Sequence, residues 1–342
     1  MEYPDPWQNR QKWQIKTLPL SSETVYKQVE EFLLEHTNLK LTALDYCAGL
    51  FIDEELLAIG GFLDNTIMNL AVAKSARGKG LMQFLLEHLQ AELKIRGFAH
   101  LFIYTTPENE KIIKSLGFHL LYGNRQYIFA ENRFWGISSF GRNLAQQTAE
   151  AEGVALVVNA NPFTYGHLHL VEQALKIKDR VRILLVETDK SYFPFSERLQ
   201  MLKEGVKHLK GVSVFAGGPY TLAAGVFPDY FLKQSGEQTK LQAELDCHLF
   251  GRYLGPALNC SIRLFGQEPL DVTTAQYVQA AQNILPQYDI EVRIIPRLAY
   301  RDQIISASRV RALYKEGNFL QLENLVPPST FKFLQEKHGG AC

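Results

Sequence analysis

Cysteine is scarce in this 342-residue chain, and the four present, Cys47, Cys247, Cys260 and Cys342, form no C-x-x-C pair. That spacing supplies neither a disulfide framework nor a zinc-type ligand set, and it fits reduced thiols in a cytosol. Net charge is missing as well: 36 Lys plus Arg balance 36 Asp plus Glu. A generic nucleic-acid-binding surface therefore finds no support, which leaves room only for a local positive pocket. No apolar run approaches the roughly 18 residues of a membrane span. The opening Met1-Glu-Tyr-Pro-Asp-Pro-Trp7 is polar and broken by prolines, unlike a secretory signal. A cytoplasmic protein that acts on neither membrane nor nucleic acid is the expectation. Hydrophobic residues (46%) and charged residues (21%) stand at ordinary globular levels, and the length favours two domains.

The most informative stretch is Asn161-Pro-Phe-Thr-Tyr-Gly-His167. The apolar run Val154 to Val158 before it reads as a buried parallel strand, and an amphipathic helix follows from about Leu168 to Lys176. Thr164, Gly166 and His167 thus fall at a strand-to-helix turn, where unpaired N–H groups and the helix dipole favour an anion. Gly166 lets backbone approach a polyphosphate, and His167 can donate to one of its oxygens. Farther on, Ile305-Ser-Ala-Ser-Arg-Val-Arg311 opens another helix. There Ser306 or Ser308 can cap the first turn, and Arg309 and Arg311 supply cationic forks. These two segments resemble the paired motifs of the nucleotidylyltransferase superfamily, which attacks the α-phosphate of ATP or CTP.

Strands expected at Val181–Val186, Val212–Phe215, Ile262–Phe265 and Val292–Ile295 alternate with helical stretches, one of them Ser196–Val206. Such alternation predicts a parallel, doubly wound sheet whose ligands sit beyond the carboxyl strand ends. The first half has its own pattern: strands over Leu41–Leu50, Leu56–Leu63, Thr66–Val72 and Leu101–Thr105, with helices over Leu81–Ile95 and Glu108–Leu116. Residues 130–152 are polar, rich in Asn, Gln, Ser and Gly, and make the best seam. The expected organisation is α/β throughout: 1–132, a linker over 133–152, and a second domain over 153–342.

In the first half, Arg77-Gly-Lys-Gly80 lies between a strand and a helix and can offer backbone N–H groups to a pyrophosphate. It looks like the acyl-CoA loop of the GNAT acetyltransferases, with Arg77, Gly78 and Gly80 in place and Met82 where that family has Gly or Ala. Asn109 to Phe118 resembles the closing segment of the same fold. Ile113, however, stands where many members carry a general-acid tyrosine, and it cannot transfer a proton.

Over nearly its whole length the chain resembles the [citrate (pro-3S)-lyase] ligase family. The shared pieces are Asn161–His167, Tyr230–Lys233, Ala243–Asp246, Gly266–Pro269 and Ile305–Arg311. That resemblance implies a GNAT-like mixed α/β domain followed by a Rossmann-like, HIGH-type nucleotidylyltransferase domain. It implies ATP and Mg²⁺ as cofactors, acetate as substrate, and as partner the citrate lyase acyl carrier subunit with its CoA-derived arm. The carrier thiol would be acetylated through acetyl-adenylate. His167, Thr164, Arg311 and Lys190 are the expected catalytic residues. Asn161, Phe163, Gly166, Gly266, Glu268, Ser306, Ser308 and Arg309, with Arg77, Gly78 and Gly80, are the expected ligand contacts. Lys190 and Arg198 lie on a loop and helix that reach the nucleotide side, and Lys233 is a possible counter-charge. Glu244 and Asp246 are either metal or carrier contacts or simply structural acids. Other readings stay open: a phosphopantetheine- or nicotinamide-mononucleotide-type adenylyltransferase, the equivalent ligase of malonate decarboxylase, or an acyl-CoA-sensing module.

Overall fold

The computed structural model describes residues 13–37, 40–148, 151–187, 191–221, 236–267, 272–301 and 303–339. Its chain divides into two compact units, Met1–Gly136 and Ile137–Cys342.

In the first unit, β1 (Trp13–Thr17), β2 (Tyr46–Ile52), β3 (Glu55–Leu63), β4 (Thr66–Val72), β5 (Phe102–Thr105), β6 (His119–Gly123) and β7 (Ile128–Glu131) form one sheet. Their order is β1-β2-β3-β4-β5-β7-β6. Helices α1 (Glu23–Thr37), α2 (Leu81–Ile95) and α3 (Glu110–Ser115) complete the unit. Leu81, Leu85, Leu89 and Leu93 recur at helical spacing and pack α2 onto Ala58, Ile59 and Leu70 of the sheet core. The β2 strand begins at Tyr46 rather than Leu41, and Gly117 takes the left-handed conformation (φ 82°) that ends α3. All neighbouring strands are antiparallel except β4 and β5. That parallel pair is joined only at Thr66↔Phe102 and Ile67↔Ile103, so the two strands part toward Val72 and Thr105.

The second unit holds five parallel strands, β8 (Gly153–Val158), β9 (Val181–Leu185), β10 (Val212–Ala216), β11 (Cys260–Gly266) and β12 (Glu291–Ile295). They run in the order β10-β9-β8-β11-β12, all parallel. The chain winds outward from β8 in one direction and from β11 in the other, which makes the β8/β11 boundary the point where the order reverses. In a doubly wound sheet such a reversal is where the ligand crevice is expected, beyond the carboxyl ends of the strands. The first four residues of β8 and all of β9 are buried, as central parallel strands require. Helices α4 (Gly136–Gln147), α5 (Tyr165–Ile177), α6 (Phe195–Val206), α7 (Gly236–Leu249), α8 (Val272–Ile284), α9 (Ala307–Lys315) and α10 (Pro328–Gly339) accompany them. A two-residue ribbon, β13 (Ala299–Tyr300) with β14 (Gln303–Ile304), precedes α9.

The stretch expected as a linker carries α4. Its Ile137, Gly141 and Leu144 are buried at helical spacing despite the polar composition, and Phe140 meets the Tyr220 ring at 5.4 Å. Helix α6 begins at Phe195, one residue before its expected start at Ser196, with Pro194 in the cap position and no side-chain cap bond.

Candidate active site

The turn between β8 and α5 is built around Thr164, the N-cap of α5, which is extended (φ −123°, ψ 167°) and 1% exposed. Its Oγ1 accepts the His167 backbone N–H, and its own N–H donates to His167 Nδ1 at 3.1 Å. Oγ1 also lies 2.9 Å from Nδ1. This is a reciprocal cap in which histidine does the work usually done by Glu or Gln. It fixes the tautomer: Nδ1 accepts, so in the neutral ring the proton sits on Nε2 and is available to an anionic oxygen. Burial, and after it the positive charge of Arg297, pushes the His167 pKa down to about 4. His167 is therefore neutral at pH 7 and acts as a hydrogen-bond donor rather than a cation.

The second motif is packed directly against the first. A Cβ on Gly166 would stand 3.2 Å from the Ile305 carbonyl oxygen, so glycine is what allows this close approach. Arg311 Nη1 donates to the Asn161 carbonyl at 2.6 Å, which ties α9 to the turn. Ser306 is the N-cap of α9, its side chain accepting from the Arg309 N–H, while Ser308 is exposed with its Oγ 3.1 Å from Ser306 Oγ. Arg309 Nη1 is enclosed and has no hydrogen-bond partner among the described residues. On the far side of the crevice, Gly266 ends β11 beside Leu170 of α5, and Gln267 N–H donates to the Ile295 carbonyl at 2.8 Å.

Several expectations change. Phe163 is 0% exposed and packs on Gly205, where an added Cβ would lie 2.4 Å from its ring, so its side chain has no surface left for a nucleotide. Asn161 is a tether: its Oδ1 accepts the Phe193 N–H at 3.0 Å. Arg198 does not reach the nucleotide side, being 0% exposed and bonded to main-chain carbonyls. Asp246 is a structural acid, paired with Arg263 Nη2 at 3.2 Å in the core. Lys190, Lys233 and Glu268 lie outside the described residues.

Arg297, just beyond β12 in the segment Ile295-Pro-Arg297, has no site role assigned by the sequence. Its charge bears on His167, and burial lowers its own pKa. Its position after Ile295-Pro296, at the carboxyl edge of the sheet, was the available signal.

In the first unit, Gly78 and Gly80 take φ of 78° and 81°, and a Cβ on Gly78 would meet nothing within 4 Å. The loop entering α2 thus presents open backbone. Arg77 Nη2 donates to the His36 carbonyl at 2.9 Å, and Arg77 helps hold the Glu108 carboxyl below its usual range, after hydrogen bonds from Thr106 and the Glu108 backbone. Met82 is buried in the core, so its departure from the Gly/Ala pattern leaves the loop unobstructed. Ile113 is 1% exposed and also core.

Residues 153–334 match the citrate lyase ligase C-terminal domain family, and residues 12–118 match the GNAT acetyltransferase family. The [citrate [pro-3S]-lyase] ligase of Escherichia coli K12 is 33% identical over 315 residues, covering 90% of each chain. This chain belongs to the citrate lyase ligase family. The homologous ligase of Klebsiella pneumoniae is 32% identical, over 90% of this chain and 92% of its own length. A phosphopantetheine adenylyltransferase of Symbiobacterium thermophilum is 29% identical over 52% of this chain and 90% of its own. In this chain the GNAT match precedes the ligase-domain match, and the latter lies on the parallel sheet. No helix among the described residues is long and apolar enough to cross a membrane.

Proposed function

We propose that this cytoplasmic enzyme acetylates the thiol of the CoA-derived group on the citrate lyase acyl carrier subunit, at the expense of ATP. An acetate oxygen attacks the α-phosphorus of ATP, forming acetyl-adenylate as the α–β bridge breaks and pyrophosphate leaves. The carrier thiol then attacks the acetyl carbon, releasing AMP and giving its proton to solvent. The observation that carries this reading is the joined pair of motifs: the Thr164–His167 cap held against Ile305, and Arg311 bonded to the Asn161 carbonyl.

Neutral His167, with its proton on Nε2, is suited to donate to a non-bridging phosphate oxygen, and Arg309 and Arg311 to balance charge on the leaving pyrophosphate. Donors that gain strength as charge builds on the leaving group favour the transition state over the bound substrate. Nothing in this scheme needs a side-chain nucleophile. No group of three or more His, Cys, Asp or Glu side chains among the described residues could hold a metal ion. Mg²⁺ would therefore arrive with ATP rather than on a ligand set among the described side chains, and would supply charge neutralisation. In the first unit, the Arg77–Gly80 loop would hold the pyrophosphate of the carrier's CoA-like arm; with Ile113 in the tyrosine position, that unit binds rather than transfers protons.

The test measures pyrophosphate released from ATP with acetate, phosphopantetheine or nicotinamide mononucleotide as acceptor. Release with acetate alone is expected. Release with phosphopantetheine alone would replace this reading by the adenylyltransferase one, which the relative covering about half of the chain favours.

A further inference from the structure

Arg198 enters no step of the proposed reaction, yet it is 0% exposed. It heads the buried stripe of α6, followed by Met201, Leu202, Gly205 and Val206, at a position where a core residue is ordinarily apolar. A guanidinium is tolerated there only if its N–H groups are satisfied. Its Nε donates to the Phe193 carbonyl at 3.0 Å. Its Nη1 bonds to the carbonyls of Val186 at 2.7 Å and Asn159 at 2.9 Å, and to Asn159 Oδ1 at 2.9 Å.

These acceptors share one place. Asn159 follows β8 and Val186 follows β9, so Arg198 joins the carboxyl ends of adjacent strands beside the crevice. Phe193, whose carbonyl it holds, donates its N–H to Asn161 Oδ1. The Asn161 carbonyl receives Arg311. The segment leading to Thr164 is thereby anchored at Asn159 and again at Asn161. Ala160, between the two anchors, has φ 46° and is 1% exposed. A non-glycine residue holds that conformation only where its surroundings fix it.

We propose that Arg198 is a positioning residue: through Asn159 and the Phe193–Asn161 bond it fixes the turn that carries Thr164 and His167, and so sets where His167 Nε2 points. Its kinetic consequence rests on the adenylation proposed above; its structural consequence does not.

The experiment compares wild type with Arg198→Lys, Asn159→Ala and the double variant. Lysine keeps the charge but replaces a planar fork by a single point donor. Two readouts are taken: titration of His167 by NMR with labelled histidine, assigned with His167→Gln, and kcat and KM for ATP in acetate-dependent pyrophosphate release. If Arg198 positions the turn, the His167 titration moves up from its wild-type value by about one unit or more as the ring loses its enclosure. In parallel, kcat falls by about tenfold or more while KM for ATP changes by less than about threefold, because the donor is misplaced rather than lost. The double variant is no worse than Arg198→Lys alone, since the Asn159 side chain acts on the turn through its bond to Arg198. An unmoved His167 titration with kcat within about twofold of wild type in folded Arg198→Lys overturns the proposal. So do independent, multiplying losses in the double variant. Should Arg198→Lys fail to fold, Asn159→Ala removes only one acceptor and carries the same readouts. A wild type without acetate-dependent pyrophosphate release would sink the proposed reaction, and the His167 titration would still decide the role of Arg198.

Discussion

Replacing Asp246 by alanine separates two roles that the sequence leaves open for the Ala243–Asp246 segment. Asp246 and Arg263 are 2% and 1% exposed, with Oδ2 and Nη2 3.2 Å apart, and the Tyr277 hydroxyl donates to the same carboxylate. Arg263 Nε and Nη1 have no hydrogen-bond partner among the described residues, but the Phe250 ring centroid lies 4.2 Å from the guanidinium carbon. At 3.2 Å and an effective dielectric of about 20, the attraction is about 5 kcal/mol, much of it offset by the desolvation of both ions. Removing only the acid leaves Arg263 buried without its counter-ion, which costs about 3–5 kcal/mol. The Phe250 face contacts the guanidinium with or without the acid, so it does not change this difference. At the low end of that range, a loss of about 3 kcal/mol lowers the melting temperature of a unit this size by about 6–12 °C. The assay is thermal denaturation followed by near-UV circular dichroism, with Asp246→Leu/Arg263→Met as control. That pair replaces the ions by apolar groups and should recover most of the loss. A melting temperature within about 2 °C of wild type, together with lost turnover, would refute the structural assignment and return Asp246 to the substrate.

Three further outcomes follow from the same geometry. The folded-state pKa of His167, about 4, lies below its unfolded value, so between those values the unfolded chain binds the extra proton. Stability from this group is full above the unfolded pKa and declines as pH falls toward 4, and pyrophosphate release should show no His167 limb at the ordinary histidine pKa; a limb there abolished by His167→Gln would contradict the neutral-donor role. Gly166→Ala pushes a methyl to 3.2 Å from the Ile305 carbonyl and should lower kcat by separating the two motifs, whereas unchanged kcat would show that their contact is incidental. Gly80→Ala places a Cβ in the left-handed region at a cost of about 1 kcal/mol, and Arg77→Ala removes a loop cation; both should weaken use of the carrier thiol while sparing acetyl-adenylate formation, and equal loss of both steps would contradict the division of labour.

The layout of the second unit was legible because its strands are short apolar runs separated by amphipathic helices. Val181–Leu185, Val212–Ala216 and Glu291–Ile295 fall within a residue of their expected bounds. The cap at Ser306 was also readable, since it rests on local residue chemistry; the helix after Thr164 starts at Tyr165, three residues before its expected start, because Thr164 and His167 cap each other. What the sequence concealed is tertiary. Helix α4 hides in a polar composition because only Ile137, Gly141 and Leu144 of it are buried. Phe163 stands inside a motif and looks like a ligand contact, yet the neighbouring Gly205 leaves a slot that its ring fills. Arg198 occupies a core position in a helical stripe, a pattern visible at Met201, Leu202, Gly205 and Val206 once a charged residue is allowed to begin it. Arg297 acts on His167 across many residues of sequence, an effect with no local signature.

The central claim is that acetate attacks the α-phosphorus at the Thr164–His167 turn. Acetate labelled with ¹⁸O in both carboxylate oxygens tests it most directly, with mass spectrometry of the AMP, pyrophosphate and acetylated carrier formed in one turnover. Attack at the α-phosphorus predicts one ¹⁸O in AMP, one in the thioester carbonyl and none in pyrophosphate. Unlabelled AMP, or label in pyrophosphate, would contradict it.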